Sequence, residues 1–279
     1  MNGPTLVILA AGCARRYGGT KQLAPIGMHG EGVIDLIASD AYAAGFDRIV
    51  VVVNPDTGPQ IKEHIENVWP THRPVSFAVQ DEPLGTVHAV LAAEPYLDVT
   101  QPFGISNADD LYGRDAFAKL GAHLVTKSTN CLIGFRLNRA LVGDLPVSRG
   151  VCHVVNGHLT DIWERRQVHN SPDGYLSDDG LSPVFLDAEA IVSMNLWGFQ
   201  PAMWPLLRRA MENHDFVAQP EALLPVFVGE ILHHVPLRFD VLITTSRCVG
   251  VTHADDLPLV QADVRLQIDA GERPERAFL

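Results

Sequence analysis

The sequence predicts a three-layer α/β fold in which helices cover both faces of a mostly parallel sheet. Short apolar runs alternate with helix-like stretches through the first half, and strands joined by helices in this way pair in parallel through right-handed crossovers. Beyond residue 130 the pattern changes to adjacent strands, two of them joined by the turn Asn156-Gly157, a strong hairpin signal. We therefore expect one domain with a parallel half at about 1–130 and an inserted, more antiparallel half at about 131–279.

Each element follows from the period and composition of its segment. β-branched and apolar runs of strand length predict strands buried on both faces. In the first half the predicted strands are 5–11, 48–54, 75–80 and 103–107, and the predicted helices are 33–44, 56–68, 86–94 and 115–126. In the second half the predicted strands are 130–137, 150–156, 158–164 and 192–199, and the predicted helices are 201–213, 220–233 and one from about 255. Residues 169–185 are rich in Asp, Gly, Ser and Pro, which predicts a long functional loop.

Composition restricts the class of protein. The 279 residues are 47% hydrophobic and 19% charged, which is enough apolar material for a large core and too little charge for disorder. The formal net charge of −12 disfavours nucleic acid and anionic membrane as partners, because both are polyanions. The four cysteines are scattered, the N-terminus lacks a basic signal region, and no apolar run reaches the ~20 residues of a membrane helix. We expect a cytoplasmic protein, with a homo-oligomer left open.

A segment of small, glycine-rich and basic residues follows the first predicted strand. Small residues let the backbone approach a ligand, and successive N–H groups there form an anion-binding nest. The small residues are Ala10, Ala11, Gly12, Cys13 and Ala14. Arg16 and Lys21 add two positive charges, so the segment indicates a loop that holds a polyphosphate. The alternative is a strand-to-helix turn with solvated basic residues, and the spacing matches neither a dinucleotide fingerprint nor a P-loop.

This segment resembles the signature of the sugar-1-phosphate nucleotidyltransferases, L-A-[A/G]-G-x-G-x-R followed by lysine. Gly12 and Arg16 fall on the first glycine and the arginine of the signature, and Ala14 stands where it has a second glycine. The string QDEPLGTVHA at 80–89 is similar to the family's Q-x-x-P-x-G-T-A-x-A, which faces the nucleobase. The resemblance therefore implies four further nucleotide-binding residues. They are Gln80, Pro83, Gly85 and Thr86.

The resemblance also implies a Rossmann-like, GT-A-like nucleotidyltransferase fold with Mg²⁺ as cofactor. The string SNADD at 106–110 ends the fourth predicted strand, at the edge where open α/β sheets bind ligands. By resemblance Asp109 holds the metal, and Asn107 contacts the substrate. The string VTHADDL at 251–257 resembles T-x-x-[E/D]-D-L of related cytidylyltransferases, which implies Asp256 as the second metal ligand, with Asp255 as the alternative. Both acidic strings also suit helix caps.

The second half resembles the sugar-phosphate side of the same family. The string IWER at 162–165 is similar to I-x-E-[K/R], which implies that Glu164 accepts bonds from sugar hydroxyls and that Arg165 meets the sugar phosphate. Gly150 and Asn195 are the other substrate-binding residues that the resemblance implies. Each of these four residues would also suit an ordinary solvated strand.

We therefore expect a magnesium-dependent nucleotidyltransferase that converts an NTP and a sugar 1-phosphate into an NDP-sugar and pyrophosphate. Its partners would be the NTP and a phosphorylated small-molecule acceptor. Its catalytic residues would be Arg16, Lys21 and Asp109, which supply charge neutralisation and positioning rather than a general base. The alternatives are a cytidylyltransferase or molybdopterin-type transferase with another phosphorylated acceptor, a glycosyltransferase with a related sheet, and a non-catalytic nucleotide-binding regulator.

Overall fold

The computed structural model describes residues 3–12, 19–141, 143, 145–172, 174–251 and 254–278. Within these ranges the strands are β1 (Thr5–Leu9), β2 (Arg48–Val53), β3 (Val75–Val79), β4 (Phe103–Asn107), β5 (Asp110–Leu111), β6 (Asn130–Arg136), β7 (Val147–Val155), β8 (His158–Ser171), β9 (Gly174–Ser177), β10 (Phe185–Leu186), β11 (Ile191–Phe199), β12 (Phe239–Ile243) and β13 (Val249–Gly250). The α-helices are α1 (Val33–Ala43), α2 (Gly58–Val68), α3 (Thr86–Ala93), α4 (Arg114–Thr126), α5 (Met203–Asn213), α6 (Leu224–His234) and α7 (Leu257–Asp269). No helix of this described part is long and apolar enough to cross a membrane.

Eleven of these strands form one sheet that extends through both halves of the chain. Its order is β10-β9-β8-β12-β6-β11-β4-β1-β2-β3, and β7 pairs with β11 and β8. The first-half strands β3, β2, β1 and β4 are parallel to one another. The second-half strands β11, β7, β8, β9 and β10 join through antiparallel pairs. The predicted change from a parallel to a more antiparallel half is confirmed.

Helices cover both faces of this sheet. In β1, Leu6 and Ile8 pack into one core cluster while Val7 and Leu9 pack into the other, because successive strand residues point to opposite faces. The first cluster contains apolar residues of α1, α2, α4 and α7, and the second contains apolar residues of α3, α5 and α6. The predicted three-layer α/β fold is therefore confirmed.

The predicted loop at 169–185 is wrong over much of its length. β8 continues to Ser171, and β9 returns beside it with Val168 opposite Ser177 and Ser171 opposite Gly174. β10 then adds Phe185 and Leu186 to the edge of the sheet. Within the described residues β10 is the edge strand and pairs only with Tyr175 and Leu176 of β9. Polar side chains are tolerated near such an edge, so the composition of these strands resembles that of a loop.

The carboxyl ends of β1 and β4 lie side by side. The two strands are parallel neighbours, with Leu9 opposite Asn107. The segments that follow them, beginning at Ala10 and Ala108, therefore leave the sheet at the same edge. This is the edge at which open α/β sheets bind their ligands.

Candidate active site

A cleft of ≈ 360 Å³ opens at this edge and is lined by residues of both halves of the chain. The predicted residues that line it from the first half and the C-terminal segment are Lys21, Asn107, Asp109 and Asp256. Those that line it from the second half are Gly150, Glu164 and Asn195. The fold thus brings together seven of the predicted site residues, although Lys21 and Asp256 lie near opposite ends of the chain.

Lys21 and Asp109 form an ion pair in the lining of the cleft. The Nζ of Lys21 donates to Oδ2 of Asp109, and both side chains are about one-fifth to one-quarter exposed, at 21% and 24%. Lys21 begins a short 3-10 helix, Lys21–Leu23. The next residue, Gln22, is buried, and its Nε2 donates to the Ala10 carbonyl at 3.1 Å. This bond fixes the start of the helix, and with it Lys21, against the end of β1.

The described start of the first loop is held from two sides. Ala10 and Ala11 are buried. The Nδ2 of Asn54 donates to the Ala11 carbonyl at 2.9 Å, beside the bond of Gln22 to Ala10. Among the described residues, no atom lies within 4 Å of a Cβ placed on Gly12. Sequence reasoning missed Gln22 and Asn54 as supports of this loop, although both are polar residues at the ends of apolar segments. The predicted nucleotide-binding residues Cys13 and Ala14 and the predicted catalytic residue Arg16 lie outside the described residues.

Asp110 is a buried carboxyl directly beside Asp109. Burial raises the pKa of Asp110 to about 6, the negative charge of Asp109 adds to the rise, and the bond from Nδ2 of Asn107 at 2.9 Å opposes it. Neither aspartate caps α4, because that helix begins at Arg114 with Gly113 in the cap position. The two adjacent carboxyls therefore bring negative charge together in the lining of the cleft, which favours a cation there.

The carboxylates of this region suit a magnesium ion. Mg²⁺ prefers oxygen ligands and is usually held by one or two carboxylates together with substrate phosphates. Asp109 and Asp256 line the same cleft, and Asp256 stands at the N-cap position of α7. No group of three or more His, Cys, Asp or Glu side chains in the described part of the chain could hold a metal ion. These residues would thus hold the ion with the phosphates of a bound nucleotide completing its coordination.

The predicted nucleobase segment forms a tight turn into α3. Gln80 is buried, and its Nε2 contacts the Gly85 carbonyl at 3.0 Å and Nδ1 of His88 at 3.2 Å. Gly85 has φ +97°, and a Cβ there would lie 2.5 Å from the Ala222 carbonyl oxygen, so only glycine fits. The Thr86 hydroxyl accepts the Leu224 N–H at 2.8 Å and ties the turn to α6. Pro83 is exposed on the turn. The four predicted residues lie in one turn, outside the lining of the cleft itself.

Asn195 occupies a bulge in β11 on the acceptor side of the cleft. Its backbone has φ +60°, a left-handed conformation that asparagine tolerates better than most residues, and the pairing of β11 with β6 shifts register between Ser193 and Trp197. The Oδ1 of Asn195 accepts the Trp197 indole N–H at 3.1 Å. Because an indole N–H can only donate, this bond sets the amide orientation and leaves Nδ2 as the group available to a ligand.

The neighbouring residues Glu164 and Arg165 of β8 have different surroundings: Glu164 lines the cleft and Arg165 does not. This corrects the prediction for Arg165. Arg165 is 1% exposed and donates to both carboxylate oxygens of Asp179, at 2.7 and 3.0 Å. It also donates to the carbonyls of Leu181 and Pro183. Neighbouring strand residues point to opposite faces, so a side chain beside Glu164 in sequence need not share its cleft. Arg165 holds the segment after β9 and does not line the cleft.

The cation that lines this part of the cleft is Arg149. Its guanidinium donates to the Ala140 carbonyl through Nε and Nη2, at 3.0 and 2.7 Å, and to the Ser148 carbonyl through Nη1. These bonds leave two of its five N–H groups for a ligand. The positive charge of Arg149 opposes the effect of burial, which raises the pKa of Glu164. Sequence reasoning missed Arg149, although it directly precedes the predicted Gly150.

A family model of the MobA-like NTP transferase domain matches residues 6–185, more than half of the chain. The matched range contains Lys21, Asn107 and Asp109 from one side of the cleft and Gly150 and Glu164 from the other. The protein is therefore a nucleotidyltransferase, and the chain belongs to the family of MobA-like NTP transferase domains. No curated protein matches the chain.

Solved structures with the same fold are similar over nearly the whole chain. The inositol-1-phosphate CTP transferase from T. maritima is 12% identical with a TM-score of 0.69, and the match covers 95% of this chain and 97% of that one. A putative glucose-1-phosphate thymidylyltransferase from Bacillus anthracis, solved with a sucrose, is 12% identical with a TM-score of 0.69, covering 94% and 95%. HddC from Yersinia pseudotuberculosis, complexed with GMP-PN, is 16% identical with a TM-score of 0.62, covering 93% and 98%. These similarities confirm the GT-A-like nucleotidyltransferase fold.

Proposed function

We propose that the protein transfers a nucleoside monophosphate from an NTP to a sugar 1-phosphate, with Mg²⁺ as cofactor. The observation that carries this proposal is the meeting of Lys21 and Asp109 with Glu164 and Asn195 across one cleft. One wall offers the charges that a triphosphate needs, and the other offers hydrogen-bonding groups for a polyhydroxylated acceptor. The two halves then act as one catalytic domain, because a single sheet positions both walls.

The chemistry suits a site without a general base. An acceptor phosphate oxygen attacks the α-phosphorus of the NTP, a new P–O bond forms, and the bond to the β-phosphate breaks as pyrophosphate leaves. The acceptor phosphate is already ionised near neutral pH, so no proton has to be removed from it. A magnesium ion held by Asp109 and Asp256 would neutralise charge on the phosphates. Lys21 would contact the α-phosphate and the acceptor phosphate, and Arg16 would contact the leaving phosphates.

The nucleotide half of the proposal uses the segment that follows β1 and the turn that precedes α3. The backbone at Ala10, Ala11 and Gly12 would approach the triphosphate. Gln80 would address the base through Oε1, because Nε2 is already bonded to Gly85 and His88. A carbonyl oxygen accepts hydrogen bonds, so this group favours a base that presents an N–H donor at that edge.

The acceptor half of the proposal uses Glu164, Asn195 and Arg149. Glu164 would accept hydrogen bonds from vicinal hydroxyls, Asn195 would donate through Nδ2, and Arg149 would take the acceptor-phosphate role expected of Arg165. Two of the structurally similar proteins are named for the 1-phosphate of a hydroxylated ring, inositol or glucose, which supports an acceptor of this kind.

The test compares acceptors in wild type and in Glu164→Gln. An acyclic acceptor such as choline phosphate lacks the hydroxyl array and would leave Glu164 poorly paired, at a cost of about 1–3 kcal/mol. Wild type should therefore favour glucose 1-phosphate or inositol 1-phosphate over choline phosphate by roughly tenfold or more in kcat/KM. Glu164→Gln should reduce that preference and leave the KM for the NTP nearly unchanged. If the ratio of kcat/KM between the ring acceptor and choline phosphate is the same in wild type and in Glu164→Gln, the acceptor does not contact Glu164.

A further inference from the structure

Tyr112 is a buried tyrosine whose hydroxyl joins the two walls of the cleft. It follows β5 directly and is 0% exposed. Its oxygen accepts the N–H of Asn107 at 2.9 Å and donates to the carbonyl of Met194 at 2.9 Å. The first partner is the last residue of β4, two positions before Asp109. The second partner directly precedes Asn195 in the bulge of β11.

The hydroxyl bridges the place where the sheet itself stops joining these strands. β4 and β11 pair from Phe103 opposite Phe199 to Ile105 opposite Trp197, and the pairing ends there. On the other side of β11, the register with β6 is interrupted between Ser193 and Trp197. Tyr112 thus supplies a hydrogen-bonded link from the end of β4 to the bulge.

The position of this hydroxyl is fixed by its surroundings. The ring packs edge-on against Phe117, with centroids 5.8 Å apart, and at an angle against Phe135, with centroids 6.1 Å apart. Burial holds the pKa of Tyr112 well above its usual range, so the hydroxyl keeps its proton and its donor bond. A rigid ring with a donor and an acceptor bond at its tip can transmit a small displacement from one strand to the other.

We propose that Tyr112 is a positioning residue that sets the acceptor-side bulge at Asn195 relative to the strand end that bears Asp109. This rests on the proposed function of those two residues. When a nucleotide and its metal bind beside the end of β4, the Tyr112 hydroxyl passes the added restraint to the Met194 carbonyl and to the neighbouring Asn195. The Trp197 bond already sets the orientation of the Asn195 amide, so nucleotide binding would further restrict the backbone that carries this donor.

The test uses Tyr112→Phe, which removes the hydroxyl and keeps the ring. Tyr42→Phe is the matched control, because the Tyr42 hydroxyl also donates to a backbone carbonyl, that of Pro74 at 3.2 Å, away from the cleft. Amide hydrogen exchange is measured over 107–111 and 193–197, with Mg²⁺ and each of ATP, CTP, GTP, UTP and dTTP. Wild type and Tyr42→Phe should gain protection in both segments with the nucleotide that binds. Tyr112→Phe should gain protection in 107–111 alone.

Initial rates with the preferred acceptor supply the second readout. Misplacement of a binding group by about 1 Å costs up to roughly a hundredfold in rate, so kcat of Tyr112→Phe should fall by about tenfold or more. The KM for the NTP should stay within about twofold in that variant, and Tyr42→Phe should match wild type in both constants.

Three results would overturn the proposal. Protection of 193–197 in Tyr112→Phe equal to that of wild type would show that the hydroxyl transmits nothing. Equal losses of protection in 193–197 and of kcat in Tyr112→Phe and Tyr42→Phe would show a general effect on stability. If no nucleotide protects 107–111 even in wild type, the proposed function itself fails and this proposal fails with it.

Discussion

Replacing Arg165 by methionine should destabilise the protein strongly without impairing the cleft. The change keeps an apolar stem and removes four hydrogen bonds of the guanidinium, two to Asp179 and one each to the carbonyls of Leu181 and Pro183. Removing one partner of a buried ion pair typically costs 3–5 kcal/mol, because the other charge stays behind. Asp179 still accepts the N–H groups of Arg166 and Leu181, so we expect a cost near the lower limit, about 3 kcal/mol.

The same ion pair predicts how this cost varies with pH. The bond from Arg165 holds the pKa of the Asp179 carboxyl well below its usual range. A carboxyl whose pKa is lowered in the folded state stabilises the fold above its unfolded pKa, and that stabilisation is lost as the pH falls through the folded value. The difference in unfolding free energy between wild type and Arg165→Met should therefore be largest at neutral pH and should become smaller in acid.

Urea denaturation and thermal unfolding measure the loss, and Arg149→Met is the matched comparison. For a chain of this size about 3 kcal/mol corresponds to roughly 6–12 °C in Tm. Folded Arg165→Met should keep the acceptor KM of wild type, whereas Arg149→Met should raise it and keep most of the stability. A stable Arg165→Met protein with a raised acceptor KM would refute this reasoning and restore Arg165 to the acceptor site.

Three further predictions concern the metal, the lysine and a histidine. Asp109→Asn should lower pyrophosphate release by about a hundredfold or more, roughly 3 kcal/mol, with an unchanged circular dichroism spectrum; activity that survives EDTA would contradict the metal. Lys21→Met should lower kcat and raise the acceptor KM, and initial rates that change equally at every acceptor concentration would contradict this. The bond to buried Asp35 raises the pKa of His64, so its stabilisation is full below the unfolded pKa of about 6.5 and is lost as the pH rises through the folded value. The Tm difference between wild type and His64→Gln should fall over that range, and a constant difference would contradict the role of His64.

The sequence predicts the parallel half of the fold closely. Residues 103–107 are predicted and observed as a strand with the same bounds, and the helix predicted at 33–44 is observed at Val33–Ala43. Strands buried on both faces have to be apolar along their whole length, so their composition identifies them. The strands at 174–177 and 185–186 lie at a sheet edge, where this requirement is relaxed, and the sequence indicates a loop instead.

The sequence predicts the parts of the site that lie at the ends of strands. It does not predict which face of a strand a side chain occupies, nor contacts between residues far apart in the chain. Lys21 and Asp109 lie in segments that follow parallel, adjacent strands, so the topology predicts that both segments leave the sheet at the same edge. The string at 162–165 does not reveal that Glu164 and Arg165 point apart. The Tyr112 hydroxyl donates to the carbonyl of Met194, 82 positions away, and no local sequence pattern predicts such a contact.

In the proposed function the cleft joins a nucleotide to a phosphorylated ring, and the release of pyrophosphate reports that reaction. Wild type is incubated with Mg²⁺, each of five NTPs, and glucose 1-phosphate or inositol 1-phosphate, beside Asp109→Asn and the control Asp98→Asn on an exposed turn. We predict release that requires both substrates, yields equal amounts of pyrophosphate and nucleotide-linked acceptor, persists in Asp98→Asn and is lost in Asp109→Asn. Release that is independent of the acceptor, or that persists in Asp109→Asn, would contradict the account.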